Sequence, residues 1–122
     1  MFDVSREGII TVNRGDSFEV PMFLNAGNSI DRVGYNLTER DAVYLGVMEP
    51  NQPFEFALIR KKYTIDDIDS RGNLIIRFKP SDTACLLPGK YYYQIKLETY
   101  RSDIDDYDVE TVVDKRLFYI QE

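Results

Sequence analysis

Histidine is absent from this 122-residue chain. That one absence excludes Ser-His-Asp and Cys-His nucleophilic arrangements, histidine proton shuttles and His-containing zinc sites. Cysteine is nearly absent: Cys85 stands alone, so the chain can form no internal disulfide and offers a metal no second thiolate. The residues around it, Ser81-Asp82-Thr83 and Leu86-Leu87, predict a buried thiol. The fold must therefore stand on packing alone, which suits a reducing compartment. No apolar run approaches the roughly 18 residues of a membrane span. The opening Met-Phe-Asp-Val-Ser-Arg-Glu-Gly lacks the basic-then-apolar order of a signal peptide. Tryptophan is missing, and so is a Gly-rich loop of the phosphate-cradling kind. No cofactor and no small-molecule ligand is expected.

The length suits one domain over residues 1–122, large enough to hide roughly two-thirds of its unfolded surface. A net charge of −6 repels phosphate backbones, so neither nucleic acid nor an anionic membrane is expected as a partner. The chemistry-poor composition is rich in strand formers: nine Tyr, seven Phe and many Val, Ile and Thr favour sheet over helix.

Short alternating runs recur between turn residues, the pattern of an all-β chain. Ile9 to Asn13 and Ser17 to Leu24 are joined through Arg14-Gly15-Asp16, with Phe18, Val20, Met22 and Leu24 on one face. Pro21 cannot donate a ladder hydrogen bond, so this run predicts an edge strand or a bulge. Residues Asn25 to Asp41 predict a loop with a short extended piece at Tyr35-Asn36-Leu37. Ala42 to Met48 points Val43, Leu45 and Val47 one way, and Pro50-Asn51-Gln52-Pro53 forces a turn. Strands are expected over Phe56 to Thr64, Asn73 to Lys79 and Lys90 to Tyr100, then Val109 to Val113 and Leu117 to Gln121 around a turn at Asp114-Lys115. Ser81 to Leu86 predicts one helical turn, capped by Asp82 or Ser81. The expected architecture is an immunoglobulin-like, two-sheet antiparallel sandwich of about seven to nine strands.

Within Leu87-Pro88-Gly89-Lys90-Tyr91, the Pro88-Gly89 bend precedes a Tyr that parity places inward with Ile95 and Leu97. In such sandwiches a Tyr in this setting bonds its hydroxyl to backbone just upstream and pins the crossover between sheets. Pro88, Gly89 and Tyr91 are therefore the candidate structural corner. A family likeness enters through the same residues. Gly15-Asp16-Ser17-Phe18, Gly72-Asn73-Leu74-Ile75-Ile76, the run from Asp82-Thr83 through Leu86-Leu87-Pro88-Gly89-Lys90-Tyr91-Tyr92-Tyr93-Gln94-Ile95, and Thr111 with Phe118-Tyr119-Ile120 come in a familiar order. From about Gly8 to Gln121 the chain resembles the N-terminal immunoglobulin-like domain of phage upper baseplate proteins and related small phage tail or virion proteins. That resemblance implies a docking domain in a multi-subunit particle, with no catalytic residues to carry over.

Other motifs point elsewhere only weakly. Gly15-Asp16-Ser17 resembles a lipase-like nucleophile block, but Ser17 has no histidine as general base. Arg14-Gly15-Asp16 is a receptor tripeptide and equally what a tight turn requires. Asn36-Leu37-Thr38 fits a glycosylation sequon, which matters only in a secreted protein. Asp67-x-Asp69-x-Arg71-Gly72 starts like a calcium loop but has Arg71 at a ligand position and Phe78 where the bidentate Glu belongs. Asp103, Asp105, Asp106, Asp108 and Glu110 could hold calcium weakly or form a solvated hairpin loop. Three tyrosines in a row require at least one to face outward; Tyr44, Tyr63 and Tyr92 are the candidate interface residues.

The expectation is a non-catalytic structural protein of a phage or prophage particle, of tail or baseplate type. It would contact other protein subunits, as a homo-oligomer or otherwise. It would be made in the bacterial cytoplasm and then enter the virion. The alternatives are a carbohydrate-binding module stacking sugars on Tyr92, a calcium-dependent adhesion module, and a carboxylate enzyme.

Overall fold

A computed structural model describes residues 2–4, 8–23, 38–71 and 73–122. Among these, the alternating runs form strands β1 (Phe2–Val4), β2 (Ile10–Asn13), β3 (Phe18–Phe23), β4 (Ala42–Met48), β5 (Ile59–Tyr63), β6 (Asn73–Phe78), β7 (Gly89–Arg101) and β8 (Asp106–Gln121). One five-residue helix, α1 (Pro80–Ala84), and 3-10 turns at Phe54–Phe56 and Ile65–Asp67 lie between them. The larger sheet has the order β1-β2-β8-β7-β4-β5, and β3 pairs with β6 in the smaller one. Most of the expected loop from Asn25 to Asp41, including Tyr35 to Leu37 and the Asn36 sequon, lies outside the described residues, as does Leu24.

Period-2 alternation builds the core. Val43, Leu45 and Val47 of β4, Tyr91, Tyr93, Ile95 and Leu97 of β7, and Phe118 and Ile120 of β8 are buried from the large sheet. Phe18 and Val20 of β3 and Leu74, Ile76 and Phe78 of β6 face them from the small sheet in the same cluster. A row of rings crosses the interior: Phe18 stacks on Phe78 at 4.5 Å, Phe78 meets Phe118 at 5.6 Å, and Phe118 meets Tyr93 edge-on at 6.5 Å.

Four expectations need correction. The sheets are not wholly antiparallel, because β2 runs parallel to β8 with Ile10 opposite Phe118 and Asn13 opposite Gln121. These strands come from distant parts of the chain, so no hairpin constrains their relative direction. Asp114-Lys115 makes no turn: β8 runs through it as one strand, and its pairing with β7 shifts register near Tyr93 and Ile95 instead. Bulges of this kind take up extra residues without ending a strand. The strand expected from Phe56 begins only at Ile59, with Phe56 exposed in the preceding 3-10 turn. Cys85 is exposed, not buried. It follows α1, whose inward position is taken by Thr83.

The helical turn starts one residue earlier than expected, with Pro80 where a missing N–H costs nothing. Asp82 accepts the Lys79 N–H at 2.7 Å and also pairs with the Lys61 ammonium at 2.6 Å, tying α1 to β5. The fully buried Thr83 hydroxyl accepts the Gly15 N–H at 2.8 Å, anchoring the β2–β3 turn to the same helix.

Candidate interaction surface

The corner residues come together at the start of β7. The Tyr91 hydroxyl donates to the Leu87 carbonyl at 2.6 Å, four residues upstream. Gly89 between them has φ 151°, a conformation that side-chain-bearing residues rarely adopt. Burial and the nearby Glu49 carboxylate push the Tyr91 hydroxyl above its usual range. The next inward ring, Tyr93, donates to the Gly8 carbonyl, and burial raises its pKa as well. These bonds fix the strand whose other face carries the surface residues.

That outer face contains Tyr44 and Tyr92, both half-buried. Tyr63 does not join them, a correction to its place among the interface candidates. Strand parity turns it inward opposite Val43, where it is 6% exposed. The charges of Arg60-Lys61-Lys62 suggest an exposed segment, but the ladder alternates regardless of them.

A glycine shapes the outer face. A Cβ at Gly46 would stand 2.7 Å from the Phe54 ring and 3.1 Å from the Ala57 methyl. Only a bare backbone lets the 3-10 turn fold its phenyl ring against the middle of β4, one reason for a glycine inside a strand. The result is a groove of about 440 Å³, lined in part by Tyr44, Phe54, Glu55, Arg60 and Lys62. Lys62 lies 5.8 Å from the Tyr44 ring centroid and Lys96, opposite Tyr44 on β7, lies 4.9 Å from that of Phe54. Such contacts hold ammonium groups over the negative faces of rings. Among the described residues, no carboxylate pairs with Arg60, Lys62 or Lys96. The groove is apolar at its floor, with Arg60, Lys62 and Lys96 around it outnumbering the single carboxylate of Glu55.

The second surface is an arm. β4 stops pairing with β7 at Ala42–Glu98, yet β7 and β8 continue as a two-stranded hairpin to Arg101 and Asp106. Three more residues per strand carry it about 10 Å past that last β4 pair. Turn residues 102–105 close it, with Asp105 at φ 50°. Asp103 and Asp108 converge on Arg101 at 2.5 and 3.5 Å, and the Tyr100 hydroxyl donates to Asp105. Tyr100 and Tyr107 meet edge-on at 5.3 Å, with the Arg40 guanidinium 3.8 Å from the Tyr100 centroid. The acidic cluster is thus mostly strand. Among the described residues, no three His, Cys, Asp or Glu side chains are grouped so as to hold a metal. Ile104, Tyr107 and Val109 remain 54%, 44% and 62% exposed, so the arm displays apolar surface that its own core does not use.

Asp41 holds the base of this arm. It is 2% exposed, and its carboxylate accepts the Thr38 N–H at 2.9 Å and the Tyr100 N–H at 3.1 Å. Tyr100 lies beyond the last residue β4 can pair, so a side chain supplies the acceptor that a strand would have supplied. Asp41→Ala leaves two backbone donors without this acceptor, at an expected loss of about 2–3 kcal/mol. Urea denaturation measures that loss, and faster amide exchange at Tyr100 locates it.

Protein-family models, curated proteins and solved structures gave no match to this chain.

The sequence reading of Tyr44 and Tyr92 as outward-facing agrees with their partial exposure, but it missed Phe54, Gly46, Lys96 and Asp41. Gly46 inside an otherwise apolar strand run was the available signal, because a strand glycine often marks a close backbone or ring approach. Asp41 gave none, standing at the end of a polar stretch.

Proposed function

We propose that this chain is an immunoglobulin-like docking module, a non-catalytic structural protein of a phage or prophage particle, of tail or baseplate type. Support for the immunoglobulin-like assignment comes from two facing sheets of the order given above and from the Tyr91–Leu87 bond at the crossover into β7. The observation that carries the docking role is the arm. It leaves the sandwich, is braced by its own ion pairs and rings, and spends Ile104, Tyr107 and Val109 on no internal contact large enough to bury them. Exposed apolar groups on a braced projection suit contact with another protein.

The partners are other protein subunits, and the acidic surface disfavours nucleic acid and anionic membranes. The chain would accumulate in the bacterial cytoplasm before entering the particle. Sugar binding is less well supported, because stacking needs open ring faces. Tyr44, Phe54 and Tyr92 each carry a lysine ammonium, at 5.8, 4.9 and 5.7 Å respectively.

The test is mass spectrometry of particles purified after induction of the producing cells. The chain is expected among the tail or baseplate subunits in stoichiometric amount. Its presence in the lysate and absence from intact particles would overturn the particle role.

A further inference from the structure

We infer that the arm of one copy docks in the β4–β5 groove of a second copy of this chain. This deepens the docking role proposed above and rests on it, naming the occupant of one surface as the other surface of the same protein.

The first argument is charge. Residues 99–108 carry Asp103, Asp105, Asp106 and Asp108 against Arg101 alone, a net of −3. The groove is lined by Arg60 and Lys62 against the single carboxylate of Glu55, and Lys96 reaches over its Phe54 ring from β7; none of these three cations is paired with a carboxylate among the described residues. In a chain of net charge −6, this cationic rim is the exception, and the chain's own arm is a matching anion. Complementary patches steer encounter and fix orientation. Two arms, by contrast, repel each other, which disfavours arm-to-arm pairing.

The second argument is shape. Ile104 stands at the arm's tip, 54% exposed, between two aspartates of the turn. An apolar side chain flanked by carboxylates matches a groove with Tyr44 and Phe54 inside and cations at its rim. β5 is also an outer strand among the described residues, pairing only with β4. That edge, to which no other described strand pairs, offers backbone groups to an incoming strand. The arm cannot fold back into its own groove. It continues β7 past Glu98, in the direction that leads away from Lys96 and the Tyr44 it pairs with, and its ladder to β8 holds it there. Docking therefore requires another copy.

Charge exchange tests this. The full chain is measured by size-exclusion with light scattering across a concentration series. Three further proteins are compared: a groove variant Arg60→Glu/Lys62→Glu, an arm variant Asp103→Lys/Asp106→Lys, and Ile104→Ser. Wild type is expected to exceed the 14.2 kDa monomer mass and to dissociate at high salt. Each charge variant alone weakens association about tenfold or more, since its arm and groove then carry like charge. Mixing the two restores it, because each arm again meets a groove of opposite sign. Ile104→Ser also weakens association, and as a single exposed substitution it leaves the fold intact should a charge variant not fold. A monomeric wild type, or a mixture no tighter than its separate components, overturns the inference. A chain that enters particles but stays monomeric in solution fails this inference while leaving the docking role standing. A self-associating chain absent from particles fails the particle role alone.

Discussion

Phe118→Ala is expected to destabilise the domain by about 3–5 kcal/mol, a large part of the stability of a chain this size. Phe118 is fully buried, and it carries the ring row across the gap between the sheets, meeting Phe78 of the small sheet and Tyr93 of its own. It also pairs with Ile10 across the parallel ladder and with Tyr91 across the antiparallel one. Removing the ring leaves a cavity bounded by strands that cannot collapse without breaking register. Urea unfolding should show a lower midpoint at unchanged slope, with a smaller loss for Phe118→Leu. A loss under about 1 kcal/mol would mean that the two sheets are held together elsewhere.

Alkaline pH is expected to unfold the domain through buried tyrosine hydroxyls. Tyr63 is pushed from 10 up to about 12, chiefly by burial, with the Asp67 and Asp82 carboxylates adding to the effect. Below pH 10 the hydroxyl is neutral in both folded and unfolded chains, and its contribution is fully present. Above pH 10 the unfolded chain releases the proton more readily, so stability falls by about 1.4 kcal/mol per pH unit until the folded group ionises near pH 12. Tyr91 and Tyr93, both raised by burial, act in the same direction. Lysines also titrate in this range, so the informative comparison is with Tyr63→Phe. That variant loses only a long 3.4 Å bond to the Arg77 carbonyl and should show a shallower decline in melting temperature above pH 10. Equal slopes for the two proteins would contradict the assignment to Tyr63.

The inward faces were legible in the sequence because burial writes itself at every second residue. Val43-Leu45-Val47 and Tyr91-Tyr93-Ile95-Leu97 point where alternation puts them. The arm was not legible for the same reason. Residues 101–111 are all exposed, so its strands show no burial contrast, and its acidic residues resemble a loop. The register shifts opposite Tyr93 and Ile95 also offset parity along β8, which made one strand look like two around Asp114-Lys115. Tyr63 was misplaced because three basic neighbours outweighed its parity with the buried Ile59. The groove depends on Phe54 folding across Gly46 from outside the strand, a tertiary approach that no local pattern encodes beyond the glycine itself.

The parallel pairing of β2 with β8 has a mechanical consequence. Tension applied at the two chain ends pulls Ile10 backward and Gln121 forward along neighbouring strands that point the same way. The four register pairs from Ile10–Phe118 to Asn13–Gln121 are then loaded in shear, all together, and cannot be peeled apart one after another. The short β1, antiparallel to β2, lies outside this clamp and can detach without releasing it. A domain stretched between neighbours would yield late and abruptly.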